Sequence, residues 1–311
     1  EWHAFIGNAK RWKDGEELVL RGPLPPGVDA LRARRTGPEQ VAFRWEPAEL
    51  TFAEVLRQVG HVPLPPYMQR PDEAADRERY NTVFARHDGS VAAPTASLHL
   101  TPELLAEVEA AGARTARLTL HVGAGTFLPV KSDRMAGHTM HREQVRVPLA
   151  VVEQLAAQPR YAPIVPVGTT ALRTLESLYW HGVMLLQGRA GDTMDIGQWE
   201  PYAHAPEALP ATEAALHAVL DNMRSTGAER LTGRTRLLIA PGYRFRLADA
   251  LVTNFHQPQS TLLLLVAAFI GPDWRRVYDH ALAGDYRFLS YGDGSLLWRD
   301  GSRAAAEARR P

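Results

Sequence analysis

The sequence predicts an α/β fold, and three stretches carry that prediction. Residues 249–271, DALVTNFHQPQSTLLLLVAAFIG, read as strand, polar loop and helix. Val252, Thr253 and Phe255 suit an extended segment, Gln257 and Pro258 break it, and Ser260 stands at a helix N-cap. Residues 162–167 form a buried-strand run that Gly168, Thr169 and Thr170 turn into a second helix over 171–180. Residues 117–122 form a third apolar run, which enters the turn Gly123-Ala124-Gly125-Thr126.

The remaining elements follow in chain order. Short extended pieces (WHAFIG, EELVLRG, VAFRWEP) separated by turn-formers predict antiparallel β structure over 2–47. Arg32, Arg34 and Arg35 there read as the charges of a solvated edge strand or, alternatively, as an RNA contact. Composition shifts at Leu50, where Thr51 and Glu54 make a capping box and a domain boundary is expected. A proline-fixed segment, 61–67, precedes an acidic-basic helix over 72–85. A further helix opens on Thr101 and Pro102 and closes at Gly112. Residues 187–210 read as a loop, 212–225 as an amphipathic helix, 235–240 as a strand, and 286–293 as a strand-like piece. The tail from Ala304 is expected to fray.

Composition bounds the function. Acidic and basic side chains balance at 35 each, so any RNA contact is a local patch with a shallow salt dependence. The absence of cysteine excludes disulfides, thiolate metal sites, iron–sulfur clusters and cysteine nucleophiles within these residues. The apolar run 262–270 is far below the ~20 residues a membrane span requires, and no secretory signal is evident, so no membrane role and a cytoplasmic location are expected. The chain begins at Glu1 inside what already reads as a strand, and an upstream segment is expected.

Several polar groups fall where an α/β sheet binds ligands, beyond the carboxyl ends of strands. Asn254, His256, Gln259, Ser260 and Thr261 form one such set, although Ser260 and Thr261 suit a helix cap and Asn254 and His256 suit loop backbone equally well. The Gly168-Thr169-Thr170 turn offers a helix N-terminus to an anion. Arg173 and Glu176 lie three apart on one helix face, as a surface ion pair also would. His138, His141 and Glu143 have the side chains of metal ligands, but no helical HExxH frame accompanies them and no metal is expected.

The stretches HVPLPPYM, DRERYNTVFA, VAAPTASLHLT, LTLHVGAGTFLPV, HTMHRE, VGTTALRTLES, PGYRFRLADALVTNFHQPQSTLLLLVAAF and YRFLSYGD occur in one order across about residues 55–293. Together they resemble the S-adenosylmethionine:tRNA ribosyltransferase-isomerase family of queuosine biosynthesis. The resemblance implies a three-layer α/β/α domain with an inserted small antiparallel β-barrel. Residues 1–49 would be part of the barrel and 50–311 the catalytic domain, with a family segment ahead of residue 1. It also implies a transfer of the ribosyl moiety of S-adenosylmethionine to 7-aminomethyl-7-deazaguanine in the tRNA anticodon arm, giving epoxyqueuosine and releasing adenine and methionine. S-adenosylmethionine would be a co-substrate, with no prosthetic group, and the chain is expected to act as a monomer.

Such a reaction asks for proton transfer, help for departing adenine and orientation of an amine. His121, Glu176 and His256 are the acid–base candidates. Thr95, His99, Gly123, Gly125, Thr126, Thr169, Thr170, Arg173, Asn254, Ser260, Thr261, Tyr291 and Asp293 are the candidate lining of the cofactor or nucleotide pocket. The sequence departs from the family pattern at Asn81, Ser97, Leu100, Gln257 and Gly294. Ser97 and Gln257 in particular support the alternative of a non-catalytic paralogue that binds S-adenosylmethionine, a nucleotide or RNA.

Overall fold

A computed structural model describes residues 1–4, 6–20, 24–86, 90–123, 135–158 and 162–299. It is a mixed α/β structure of two compact units, one formed by Glu1–Leu64 with Gln69–Asp72, the other by Pro65–Met68 with the chain from Glu73 onward.

The first unit is built on strands β1 (Trp2–His3), β2 (Glu17–Val19), β3 (Ala30–Gly37) and β4 (Gln40–Glu46), antiparallel in the order β1-β4-β3-β2. The arginine-rich segment is therefore the interior strand β3 and not an edge. Arg32 pairs with Glu17 across to β2 at 3.1 Å, and Arg35 reaches Asp14 at 3.0 Å and the Ala9 carbonyl at 2.7 Å, pinning the preceding loop. Helix α1 (Phe52–Val59) starts at the expected capping box, with Thr51 N–H donating to Glu54 at 2.7 Å. The expected boundary at Leu50 lies inside this unit. Phe52 stacks on Trp2 at 4.4 Å and packs against Phe43 and Trp45, which fastens the helix to the sheet. Asp72 returns to the unit because its carboxylate takes the Val62 N–H at 2.9 Å and meets His61 at 2.7 Å.

The second unit contains α2 (Asp76–Arg79), α3 (Pro102–Ala110), β5 (Thr119–His121), β6 (Glu143–Pro148), α4 (Leu149–Ala156), α5 (Thr169–Leu186), β7 (Met194–Ile196), α6 (Thr212–Ser225), β8 (Arg230–Thr235), β9 (Ala250–Asn254), α7 (Thr261–Ile270), α8 (Trp274–Ala283) and β10 (Gly294–Trp298). One sheet has the order β5-β6-β8-β7, with only β7 and β8 parallel, and β9 pairs antiparallel with β10. No helix among the described residues is long and apolar enough to cross a membrane.

Helix α5 is the axis of the core. Residues 172–183 are all buried, and Leu172, Leu178, Tyr179 and Val183 pack with Val145, Val147, Leu231, Val219 and Val266. It crosses α6 so closely that a Cβ on Gly182 would lie 2.1 Å from the Ala215 carbonyl oxygen. The helix caps on Thr51, Thr101 and Ser260 and the span of α6 agree with the sequence reading.

Other elements differ, each for a local reason. Residues 162–167 are not a strand. Pro163 and Pro166 lack ladder donors, and only Val167 forms a bridge, parallel to Val252. Helix α5 runs past Trp180 to Leu186, and the 72–85 helix shrinks to the single turn α2. Strand β8 ends at Thr235, so residues 236–240 follow β7 irregularly, through Arg236 N–H to Ile196 and Leu238 N–H to Gln198. The loop reading of 187–210 misses β7, and 286–293 is a turn that leads into β10.

His181 lies at the centre of α5, 0% exposed, with neither ring nitrogen partnered among the described residues. Burial lowers it from 6.5 to about 4. A histidine depressed on folding contributes stability that is fully present above 6.5 and lost as pH falls toward about 4, because only the unfolded chain takes up the proton. At about 1.4 kcal/mol per pH unit the loss is about 3 kcal/mol. We expect His181→Leu to flatten the fall in urea midpoint between pH 7 and pH 4.5. A fall as steep as in the parent chain would assign acid sensitivity to other groups.

Candidate active site

Two polar clusters in the second unit flank the segment 95–97. The first lies at the carboxyl end of β9. Asn254, 3% exposed, sits opposite Gly294 of β10; its side-chain oxygen accepts from Thr95 Oγ1 at 2.9 Å, and its amide donates to the Gly292 carbonyl at 3.5 Å. The His99 ring lies against Gly294, where an added Cβ would stand 3.4 Å from it. Beyond Gly292, Ser290 bonds the Tyr67 hydroxyl, and Tyr291 donates to Asp76 at 2.9 Å. The Tyr80 ring meets Tyr291 edge-on at 5.6 Å, and its hydroxyl, beside Ser290, is buried without a well-aligned partner among the described residues. Burial pushes Tyr80 up to about 12, so it stays a neutral donor.

The turn that carries this cluster is tight. A Cβ on Gly292 would lie 2.4 Å from the Arg287 carbonyl oxygen and 2.5 Å from Phe288 backbone. Gly292→Ala should therefore lower stability by about 1–3 kcal/mol. An unchanged thermal midpoint would mean that the turn is looser than described.

The second cluster forms at the first turns of α5. Gly168 takes φ +94°, a conformation that favours glycine, which lets its N–H reach the Val252 carbonyl at 2.8 Å and places the helix start beside β9. Strand β6 turns Glu143, Val145 and Val147 inward. The two valines join the core, whereas Glu143, 1% exposed, meets Arg173, Thr170 and His141. Thr170 and His141 both reach Glu143 Oε1 at 3.2 Å. Arg173 Nη2 meets the same oxygen as an ion pair and not as an aligned hydrogen bond. Burial pushes the Glu143 carboxyl up, but the charges and donors of Arg173, His141 and Thr170 outweigh it and hold it below the ordinary carboxylate range. Glu143 Oε2 and Arg173 Nε remain buried without partners among the described residues. Such atoms cost about 1–3 kcal/mol each, and more when charged, unless a ligand or water meets them.

The other predicted residues are distributed differently. His121 ends β5 opposite Gln144, half-buried, with Nε2 unpartnered among the described residues. Glu176 is not paired with Arg173 and not exposed. It is 0% exposed and accepts from Tyr243 OH at 2.9 Å and from the N–H groups of Arg246, Leu247 and Ala248 at 2.9, 3.0 and 3.2 Å. His256 is buried, bonded through Nε2 to Thr253 Oγ1 at 2.9 Å, and lowered by burial to about 4. Ser260 Oγ is occupied as the α7 cap, accepting from Leu263 at 3.1 Å and donating to Gln257 at 2.8 Å, and Thr261 is the first residue of that helix. Asp293 closes its own turn by accepting from Arg287 N–H at 2.6 Å. Thr169 opens α5, and Gly123 follows β5 after Val122. Gly125 and Thr126 lie outside the described residues.

Tyr67, Asp76, Tyr80 and Ser290 escape a reading by residue type, although each falls inside a stretch that carried the resemblance. Their signal is clustering across three separate stretches, which no single window of sequence contains.

These two clusters belong to a mixed α/β protein and are made of loops at strand ends and one helix N-terminus. The family model described as "Queuosine biosynthesis protein" matches residues 1–297, and the chain belongs to that family. It is 39% identical over 95% of its length to an S-adenosylmethionine:tRNA ribosyltransferase-isomerase of Rhodospirillum rubrum, of which it covers 73%. It is 42% identical, again over 95% of the chain, to one of Sphingopyxis alaskensis, of which it covers 72%. A crystal structure of an S-adenosylmethionine tRNA ribosyltransferase from Thermotoga maritima matches 93% of this chain and 67% of that one at 26% identity, with a TM-score of 0.41. Family membership rests on the sequence matches.

Proposed function

We propose that this protein transfers the ribosyl moiety of S-adenosylmethionine to the 7-aminomethyl-7-deazaguanine base of tRNA, with isomerisation to epoxyqueuosine and release of adenine and methionine. The observation that carries this reading is the family match over residues 1–297, together with relatives near 40% identity along almost the whole chain. S-adenosylmethionine is then a co-substrate, and the acceptor is the anticodon arm.

The two clusters support it by their chemistry. The transfer needs a polar wall for a heterocycle and a sugar; the bonded pairs Thr95–Asn254 and Tyr291–Asp76 would form the frame of such a wall, and the Tyr80 hydroxyl is its donor without a well-aligned partner among the described residues. It also needs a group able to move a proton near the carbon beside the sulfonium. Among the three acid–base candidates, Glu176 has both carboxylate oxygens bonded and His256 has Nε2 bonded to Thr253, whereas His121 Nε2 has no partner among the described residues, so His121 is the preferred one. The departures that favoured a non-catalytic paralogue are absorbed locally. Ser97 donates to its own turn at the Pro94 carbonyl, 2.6 Å, and Gln257 is exposed. The finer architecture we propose is a three-layer α/β/α domain carrying a β-barrel to which the first unit contributes, in a monomeric cytoplasmic enzyme.

Incubation with S-adenosylmethionine and tRNA carrying the aminomethyl base should release adenine and raise the mass of the RNA. Intact S-adenosylmethionine and unmodified RNA would reject the reading.

A further inference from the structure

We propose that the buried Glu143–Arg173 pair holds the α-amino-acid head of the co-substrate, with the ammonium on Glu143 and the carboxylate on Arg173. The inference rests on the reading of S-adenosylmethionine as co-substrate and specifies which of its parts binds where. Both side chains are almost wholly buried, at 1% and 3% exposure. Their contact uses one oxygen and one nitrogen as an ion pair, leaving the acceptor Oε2 and the donors Nε and Nη2 without aligned hydrogen bonds among the described residues.

That residue of unspent polarity selects a ligand class. A phosphate or sulfate would meet the Glu143 carboxylate as well as the guanidinium, and a simple amine or metal cation would meet the guanidinium as well as the carboxylate. A zwitterion satisfies both. Thr170 and His141 both bond Oε1, which leaves Oε2 as the unmet acceptor of the carboxylate. The positive end of α5, at Gly168–Thr170, favours the anionic half of the head nearby.

The test compares ligands on the unaltered chain, so that no variant has to fold. By calorimetry, S-adenosylmethionine should bind about 10- to 100-fold tighter than its decarboxylated analogue, the range expected for one hydrogen-bonded charged contact. Arg173→Lys should compress that ratio while retaining part of it, and Arg173→Met should bring it close to one. Equal affinity of the unaltered chain for the two ligands would overturn the proposal. So would no binding of S-adenosylmethionine at all. Adenine release by the same preparation, given tRNA, separates the two readings: release with equal affinities rejects only the amino-acid site, whereas no release rejects the transfer itself.

Discussion

Arg173→Met is expected to cost about 3–5 kcal/mol of stability, because it leaves the Glu143 carboxylate buried with only Thr170 and His141 beside it. The effect should depend on pH with a definite sign. In the parent chain Glu143 is held below its ordinary 4.5, so its contribution is present above that value and lost as pH falls through the lowered folded value. Without the guanidinium, burial dominates and the carboxyl rises. The variant then favours the protonated acid, and its deficit relative to the parent should shrink from pH 8 to pH 5. Urea denaturation at both values measures this. A deficit that does not change with pH would mean that the arginine acts through packing and not through charge. Replacing both partners by apolar residues should recover part of the loss.

Glu176→Ala is expected to be nearly as damaging, by about 3–5 kcal/mol, for a different reason. It removes the acceptors of three backbone N–H groups, the part-buried one of Arg246 and the buried ones of Leu247 and Ala248, and of the Tyr243 hydroxyl, which itself accepts from Trp180 Nε1 at 3.0 Å. Burial pushes the Glu176 carboxyl up and the four donors pull it back, so the group serves the loop that it gathers. Glutamine should not rescue it, since an amide would turn N–H against N–H at one of the two acceptor positions. Hydrogen exchange at 246–248 should accelerate in the alanine variant. Retained stability with abolished adenine release would instead return Glu176 to the acid–base role that its place in the sequence suggested.

Local signals were legible where a short window held the whole cause. Thr51 with Glu54, Thr101 with Pro102, and Ser260 before an apolar run each place a helix start, because capping joins residues three positions apart. Strand β6 was hidden for the opposite reason. Its inward positions alternate properly, but the first is Glu143, a charge whose burial is answered by Arg173, His141 and Thr170 from elsewhere in the chain. Helix α4 begins at Leu149 behind Pro148, an N-cap with no side-chain hydrogen bond, and β10 follows a turn whose aromatic residues resemble a strand. The site divides in the same way. Thr95, Thr170, Arg173, Asn254 and Tyr291 could be named from their stretches. That Thr95 bonds Asn254, and that Glu143 rather than Glu176 answers Arg173, depends on tertiary neighbours.

The close crossing at Gly182 gives α5 the character of a pivoted rod. Nine residues separate Gly182 from Arg173, about 14 Å along a helix, and the end beyond Arg173 carries Thr170 and Thr169. A side chain added at the pivot tilts the rod before it breaks it, and a tilt of a few degrees moves the far end by a sizeable part of an ångström. The positions from which this protein is most readily detuned therefore include ones remote from Arg173 and Thr170. Compensating changes for a loss at Gly182 should be sought on α6 around Ala215, where the rod bears, and not among the residues at its tip.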